Sequence, residues 1–159
     1  MLDKSIYAVD VETDETEILV ENLEEDKYSV SDNSAMMVWQ IGDDVNASES
    51  LRLMNLNTKQ ITEIDAPEGQ YIKPIVFMGE DFVYGLAYKE DVVTDNAGRI
   101  TFPMYCMKIQ SKFGEVLKQY SYENAYVTQG MVNDALLTLS RVKKSEKDPS
   151  VYVAIDNEY

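Results

Sequence analysis

An all-β fold of repeated antiparallel units is what this 159-residue sequence predicts. Three observations carry that prediction. No segment sustains helical periodicity, the apolar runs are short and rich in β-branched and aromatic residues, and similar runs recur along the chain at a near-constant interval. Val38-Trp39, Phe82-Val83-Tyr84 and Val151-Tyr152-Val153 are examples of the strand-favouring composition.

The first element is the strand-like run Ile6-Tyr7-Ala8-Val9-Asp10-Val11-Glu12-Thr13. Its counterparts are Leu51-Arg52-Leu53-Met54-Asn55-Leu56-Asn57-Thr58 and Met104-Tyr105-Cys106-Met107-Lys108-Ile109-Gln110-Ser111, which start 45 and 53 residues further on, each ending in a small hydroxyl residue. A short polar turn and a second extended run follow each of them, at residues 16–20, 60–64 and 115–120. Turn-formers between two such runs predict hairpins.

The second element is a polar turn followed by the densest apolar run of the unit. Asn33-Ser34, in the stretch Ser31-Asp32-Asn33-Ser34-Ala35-Met36-Met37-Val38-Trp39, superposes on Glu80-Asp81 and Asn133-Asp134 with steps of 47 and 53 residues. Short extended runs precede these pairs at residues 28–30, 72–78 and 126–132, and apolar runs follow at 36–41, 82–88 and 135–142. Asx and Ser side chains close turns by bonding the backbone two residues on, so the recurrence has a mechanism, and Asp81 and Asp134 are expected in equivalent turns. Residues 150–156 are expected to form the third strand of the last unit.

Units of this length with four strands each are the signature of β-propeller blades. The expected architecture is one domain of antiparallel four-stranded blades, divided at residues 1–24, 25–70, 71–124 and 125–159. That is about three blades, fewer than the four to eight that close a ring. An excerpt of a longer chain is the first expectation; the other is a half-ring completed by a homodimer. An open antiparallel meander or sandwich is the alternative fold.

The turn before an apolar strand, and the hairpin words Leu56-Asn57-Thr58-Lys59-Gln60-Ile61, resemble the TolB-like and dipeptidyl-peptidase N-terminal-like propeller superfamily, over residues 5–156. There the corresponding words are Ser-Pro-Asp-Gly and a Leu-x-Thr-Gly hairpin. The resemblance implies a bacterial extracytoplasmic protein and a non-enzymatic module that binds a protein or small ligand. It equally implies the alternative of an accessory propeller on a peptidase-like enzyme, with the catalytic part outside this chain.

Composition narrows the chemistry. With 29 acidic and 14 basic residues the net charge is −15, which repels nucleic-acid phosphates and anionic membranes. No histidine is present, so Ser-His-Asp, Cys-His and His-metal arrangements are excluded. The single cysteine, Cys106, sits in an apolar run and reads as a packed thiol. Met1-Leu2-Asp3-Lys4-Ser5 lacks the basic start and apolar core of a secretory signal, and no run reaches the roughly 18 apolar residues of a membrane helix. No paired carboxylates stand out for a glycosidase-like mechanism. No catalytic residue and no cofactor are expected.

Candidate binding residues fall on two loops that occupy equivalent places in successive units. Asp43 and Asp44 lie on the first, and Asp91, Asp95 and Asn96 on the long second one, residues 89–101. Binding residues concentrate on loops carried by rigid scaffolds, and these two are expected to share a rim. The alternative for the second loop is a tolerated surface insertion. Residues 91–98 offer oxygen ligands, but their glycine is two positions late and the closing Glu is missing for an EF-hand, so calcium is not expected. Trp39 and the tyrosines in or beside strands read first as packing.

Overall fold

The computed structural model describes residues 4–158; Met1, Leu2 and Asp3 of the N-terminal stretch, and Tyr159, lie outside the described residues. The described chain is all-β. A two-stranded hairpin, β1 (Ile6–Val9) and β2 (Thr16–Val20), is followed by the four-stranded meander β3 (Tyr28–Val30), β4 (Met36–Ile41), β5 (Ser50–Asn55) and β6 (Ile61–Asp65). Next come β7 (Gln70–Met78), β8 (Asp81–Tyr88), the short ribbon β9 (Val93–Thr94) and β10 (Ile100–Thr101), then β11 (Cys106–Gln110) and β12 (Val116–Ser121). The second four-stranded sheet has the order β12-β11-β8-β7, with the ribbon standing apart. The last sheet joins β13 (Tyr126–Asn133), β14 (Leu136–Lys144) and β15 (Tyr152–Glu158). Every pairing is antiparallel.

These sheets pack face to face in chain order, separated by three apolar layers. Leu23, Met37, Trp39 and Met54, with Ile6 and Val20 against them, fill the layer between the β1–β2 hairpin and the β3–β6 sheet. Met36, Val38, Leu51 and Leu53 meet Ile72, Phe82, Tyr84, Leu86 and Cys106 in the next. Ala87, Met104 and Met107 meet Val127 and Leu139 in the third. The period of two places successive β4 residues in different layers, Met36 and Val38 in one and Met37 and Trp39 in the other. Both faces of β4 and β8 are therefore covered, which is why their sequences read as unbroken apolar runs and not as alternation. Full burial of such a side chain contributes about 1.5–3 kcal/mol. Outer strands have no such cover: all six residues of β12 are exposed, and they include Lys118, Gln119 and Ser121.

Close approach also shapes the third layer. A Cβ on Gly85 would lie 2.1 Å from the Met104 sulfur, so β8 needs glycine where Met104 crosses it. Met104 exchanges backbone hydrogen bonds with Val127, at 2.8 and 2.9 Å, and so ties the β7-β8-β11-β12 sheet to β13.

One end of the stack carries the tight turns. Ser31, 3% exposed, holds the first: its hydroxyl donates to Asn33 Oδ1 at 2.8 Å and accepts from the Ala35 and Met36 amides at 3.2 and 3.0 Å. Asn33 in turn donates to Glu80 Oε1 in the next sheet, at 3.1 Å. The hairpin turns repeat a hydrogen-bond set: Asp10 Oδ1 accepts from the Glu12 and Thr13 amides, Asn55 Oδ1 from Asn57 and Thr58, and Ser111 Oγ from Phe113 and Glu115. A left-handed residue closes each, Asp14 (φ 58), Lys59 (φ 62) and Gly114 (φ 90).

The strand register corrects two alignments expected from the sequence. Met78 pairs with Asp81, so Gly79-Glu80 is the turn and Asp81 is the first strand residue; the equivalent of Asp134 is Gly79. Gly79 (φ 63) opens a two-residue turn of the type that wants glycine first, whereas Asp134 (φ 47) and Ala135 (φ 66) are both left-handed. Ser111 likewise occupies the turn-opening place of Asp10 and Asn55, not the place of Thr13 and Thr58, because the third hairpin is one residue shorter. The long loop at residues 89–101 also differs from expectation in carrying the β9–β10 ribbon.

Candidate functional site

Antiparallel geometry puts the loops after β4, β8 and β14 at the end opposite the tight turns. In the first of these, the buried Ser48 hydroxyl lies 2.8 Å from the carbonyls of both Ile41 and Ser50 and shares its one proton between them, and Gln40 Nε2 donates to Val45 O at 2.8 Å. Asp44 accepts from the Asn46 amide at 2.8 Å, and Lys73 donates to Asn46 Oδ1 at 2.8 Å. Burial pulls the Lys73 ammonium below its ordinary value, and the nearby Asp44 charge opposes that shift. The loop is thus fixed from below by β4 and β7, with Asp43 and Asp44 exposed on it.

The second loop is fixed by two matching arrangements 55 residues apart. Tyr71 pairs with Ala87 across β7 and β8, and Lys89, two residues on, sits 5.1 Å from the Tyr71 ring centre and ion-pairs with Glu49 of the preceding loop. Tyr126 pairs with Val142 across β13 and β14, and Lys144, two residues on, sits 5.7 Å from the Tyr126 ring and pairs with Asp91 at 2.6 Å. In both, a lysine at the end of one sheet lies over a tyrosine of its own sheet and reaches a carboxylate in the loop of the sheet before. The hydrogen bond to each carboxylate raises the pKa of Lys89 and Lys144 above the usual lysine value.

Aromatic groups surround both latches. Tyr88 and Tyr105 stack with ring centres 4.3 Å apart, and the Tyr105 hydroxyl donates to Gln70 Oε1 at 2.8 Å. Tyr152 packs edge-on against Tyr126 and donates to the Asp91 carbonyl at 3.0 Å. Burial pushes both the Tyr105 and Tyr152 phenols up to about 12. Beside Tyr126, a cavity of about 280 Å³ is lined by Asn124, Lys143, Lys144 and Glu146.

The five loop residues singled out from the sequence have different fates. Asp91, 9% exposed, is committed to Lys144. Asp95 closes the ribbon turn by accepting from the Ala97 and Arg99 amides and from Arg99 Nε at 2.7 Å; these bonds, the Arg99 amide first, hold its carboxyl below the usual range. Asp43, Asp44 and Asn96 stand exposed. The two loops do meet, but through Glu49 and Lys89, which sequence reasoning passed over. A usable signal existed in the 55-residue step that relates Tyr71 and Lys89 to Tyr126 and Lys144. Among the described residues, no three His, Cys, Asp or Glu side chains converge as a metal-holding group.

No protein-family model matches the chain, and no curated protein matches it.

Proposed function

We propose that the stacked sheets are successive blades of a β-propeller and that the loop end binds a protein or small ligand without catalysing a reaction. The observation that carries this reading is the pair of lysine–tyrosine–carboxylate latches. They hold the loops at residues 42–49 and 89–105 on rigid sheets, so a contact surface exists before any ligand arrives. Their carboxylates are already paired with lysines, which suits them to positioning. Exposed groups on or next to the same loops, Tyr88, Asp43, Asp44 and Asn96, supply a ring and acceptors typical of adaptable recognition. An extracytoplasmic location belongs to the same reading through the resemblance in the hairpin words.

The test is a peptide and fragment screen by two-dimensional NMR of the isotope-labelled chain. Shifts confined to residues 42–49, 88–105 and 145–151 are expected. Shifts confined to the turn end, or none from any library member, would sink the reading.

A further inference from the structure

At the turn end, a groove of about 320 Å³ runs between the β5–β6 hairpin and the tip of the β11–β12 hairpin. Both hairpins belong to the two four-stranded sheets in the middle of the stack, so the groove is walled on both sides. Met36 and Leu53, 1% and 2% exposed, form its floor. Leu53 pairs with Thr62, and Asn55, the partner of Met36, donates its amide to the Gln60 carbonyl at 2.9 Å. Residues paired across strands share a face, so Thr62 and Gln60 stand on the side that Met36 and Leu53 turn to the next sheet. Both are exposed there.

The opposite wall departs from the repeat. Before the left-handed residue that closes each hairpin turn stand Thr13 and Thr58 in the first two hairpins, and each hydroxyl oxygen accepts the amide two residues on, from Glu15 and Gln60. In the third hairpin that place is held by Phe113, and Ser111 takes the Glu115 amide instead. The turn thus makes no use of the Phe113 ring, which stands 81% exposed against the groove. Lys112 fixes the tip: its ammonium pairs with Glu80, to which Asn33 donates at 3.1 Å, and it lies 5.4 Å from the Phe113 ring centre. Lys112 is the one charged side chain lining the groove, and Glu80 neutralises it.

We propose that this groove binds a neutral oligosaccharide, with one sugar ring stacked on Phe113 and its hydroxyls bonded to Gln60 and Thr62. A pyranose presents C–H bonds on its faces, which the electron-rich face of an aromatic ring attracts, and hydroxyls around its rim, each both donor and acceptor. The Gln60 amide and the Thr62 hydroxyl likewise offer both donor and acceptor, where a charged side chain offers one alone. The ion pair at Lys112 sets the ring in place before the sugar arrives, which lowers the ordering cost of binding. The net charge of −15 selects against acidic sugars. The groove lies at the end opposite the latched loops, so its ligand is additional to theirs.

Two-dimensional NMR of the isotope-labelled chain, titrated with maltotriose, cellotriose and triacetylchitotriose, tests the inference. At least one of them is expected to bind with a millimolar or lower Kd and to shift the amides of Gln60, Thr62 and Phe113; no saturable shift at these residues from any of the three overturns it. Phe113→Leu keeps an apolar side chain without the ring and should weaken binding about tenfold or more, whereas Phe113→Trp should retain it. Leucine binding as tightly as phenylalanine overturns the stacking and the inference with it. Trigalacturonate, with a carboxylate on each ring, should bind about tenfold or more weakly than the best neutral sugar, and equal or tighter binding overturns the choice of a neutral ligand. Val11→Ala, at an exposed position of the first hairpin, is the control expected to bind as wild type does. Circular dichroism checks each fold, and Phe113→Ala replaces Phe113→Leu if that variant loses its strand signal.

Discussion

The β7-β8-β11-β12 sheet and the β13–β15 sheet start alike and end differently. A step of 55 residues aligns Phe82 with Leu137, Tyr84 with Leu139 and Gly79 with Asp134. On the side facing the preceding sheet both are apolar, as Phe82, Tyr84, Leu137 and Leu139 show. On the other side the central sheet has Val83, Gly85 and Ala87, which are covered, while the last sheet has Thr138, Ser140 and Val142, which are half-exposed. Burial, and not strand propensity, decides the second set, because threonine and valine are nearly equal as strand formers.

The sharpest way to break this comparison is truncation at the aligned pair. Phe82→Ala should cost about 3–5 kcal/mol in urea unfolding, since the ring is fully buried against Phe77 and Tyr84. Leu137→Ala, at a half-buried site, should cost about 1–2 kcal/mol; equal costs would mean that the last sheet is as enclosed as the central one. Exchange on the other side comes next. Val83→Thr places a hydroxyl in an apolar layer and should destabilise by about 1–3 kcal/mol, whereas Thr138→Val should stay within about 0.5 kcal/mol.

The latch on the last sheet gives a pH dependence. The Lys144 pKa is raised in the folded state by its bond to Asp91, so the stabilisation is complete below the ordinary lysine value of 10.5 and fades as pH climbs through the raised folded value. The melting temperature of wild type should therefore exceed that of Lys144→Met at neutral pH, and the gap should close above pH 10.5. A gap that does not change with pH would reduce the latch to packing of the lysine stem. The smallest effect concerns the turns: Ala135→Gly relieves a left-handed alanine and creates the Asp-Gly pair such turns prefer, for a gain of up to about 1 kcal/mol.

Strands were legible because they follow composition. The apolar runs at residues 36–41 and 16–20 coincide with β4 and β2 end to end. Turn register was less legible: superposing acidic and amide residues favoured Asp81, while a two-residue turn requiring a left-handed first position selects Gly79 instead. The β9–β10 ribbon, with two residues per strand, is too short to leave a periodic trace. Of the candidate site, the two loops are legible as connections at equivalent places in successive units. Their latches are legible only by half: the 55-residue step marks the tyrosine and the lysine, but Asp91 and Lys144 are 53 residues apart and no local pattern points from the lysine to its carboxylate.

Cys106 turns the second apolar layer into a clock. Its thiol is 3% exposed between the β3–β6 and β7-β8-β11-β12 sheets, and it is the chain's single cysteine. Each molecule that reacts with an alkylating reagent has therefore parted the same two sheets, and the labelling rate measures how often that happens under native conditions. If the protection of Cys106 equals the free energy of urea unfolding, the layers open together; if it is smaller, the stack comes apart one interface at a time, as repeat arrays do.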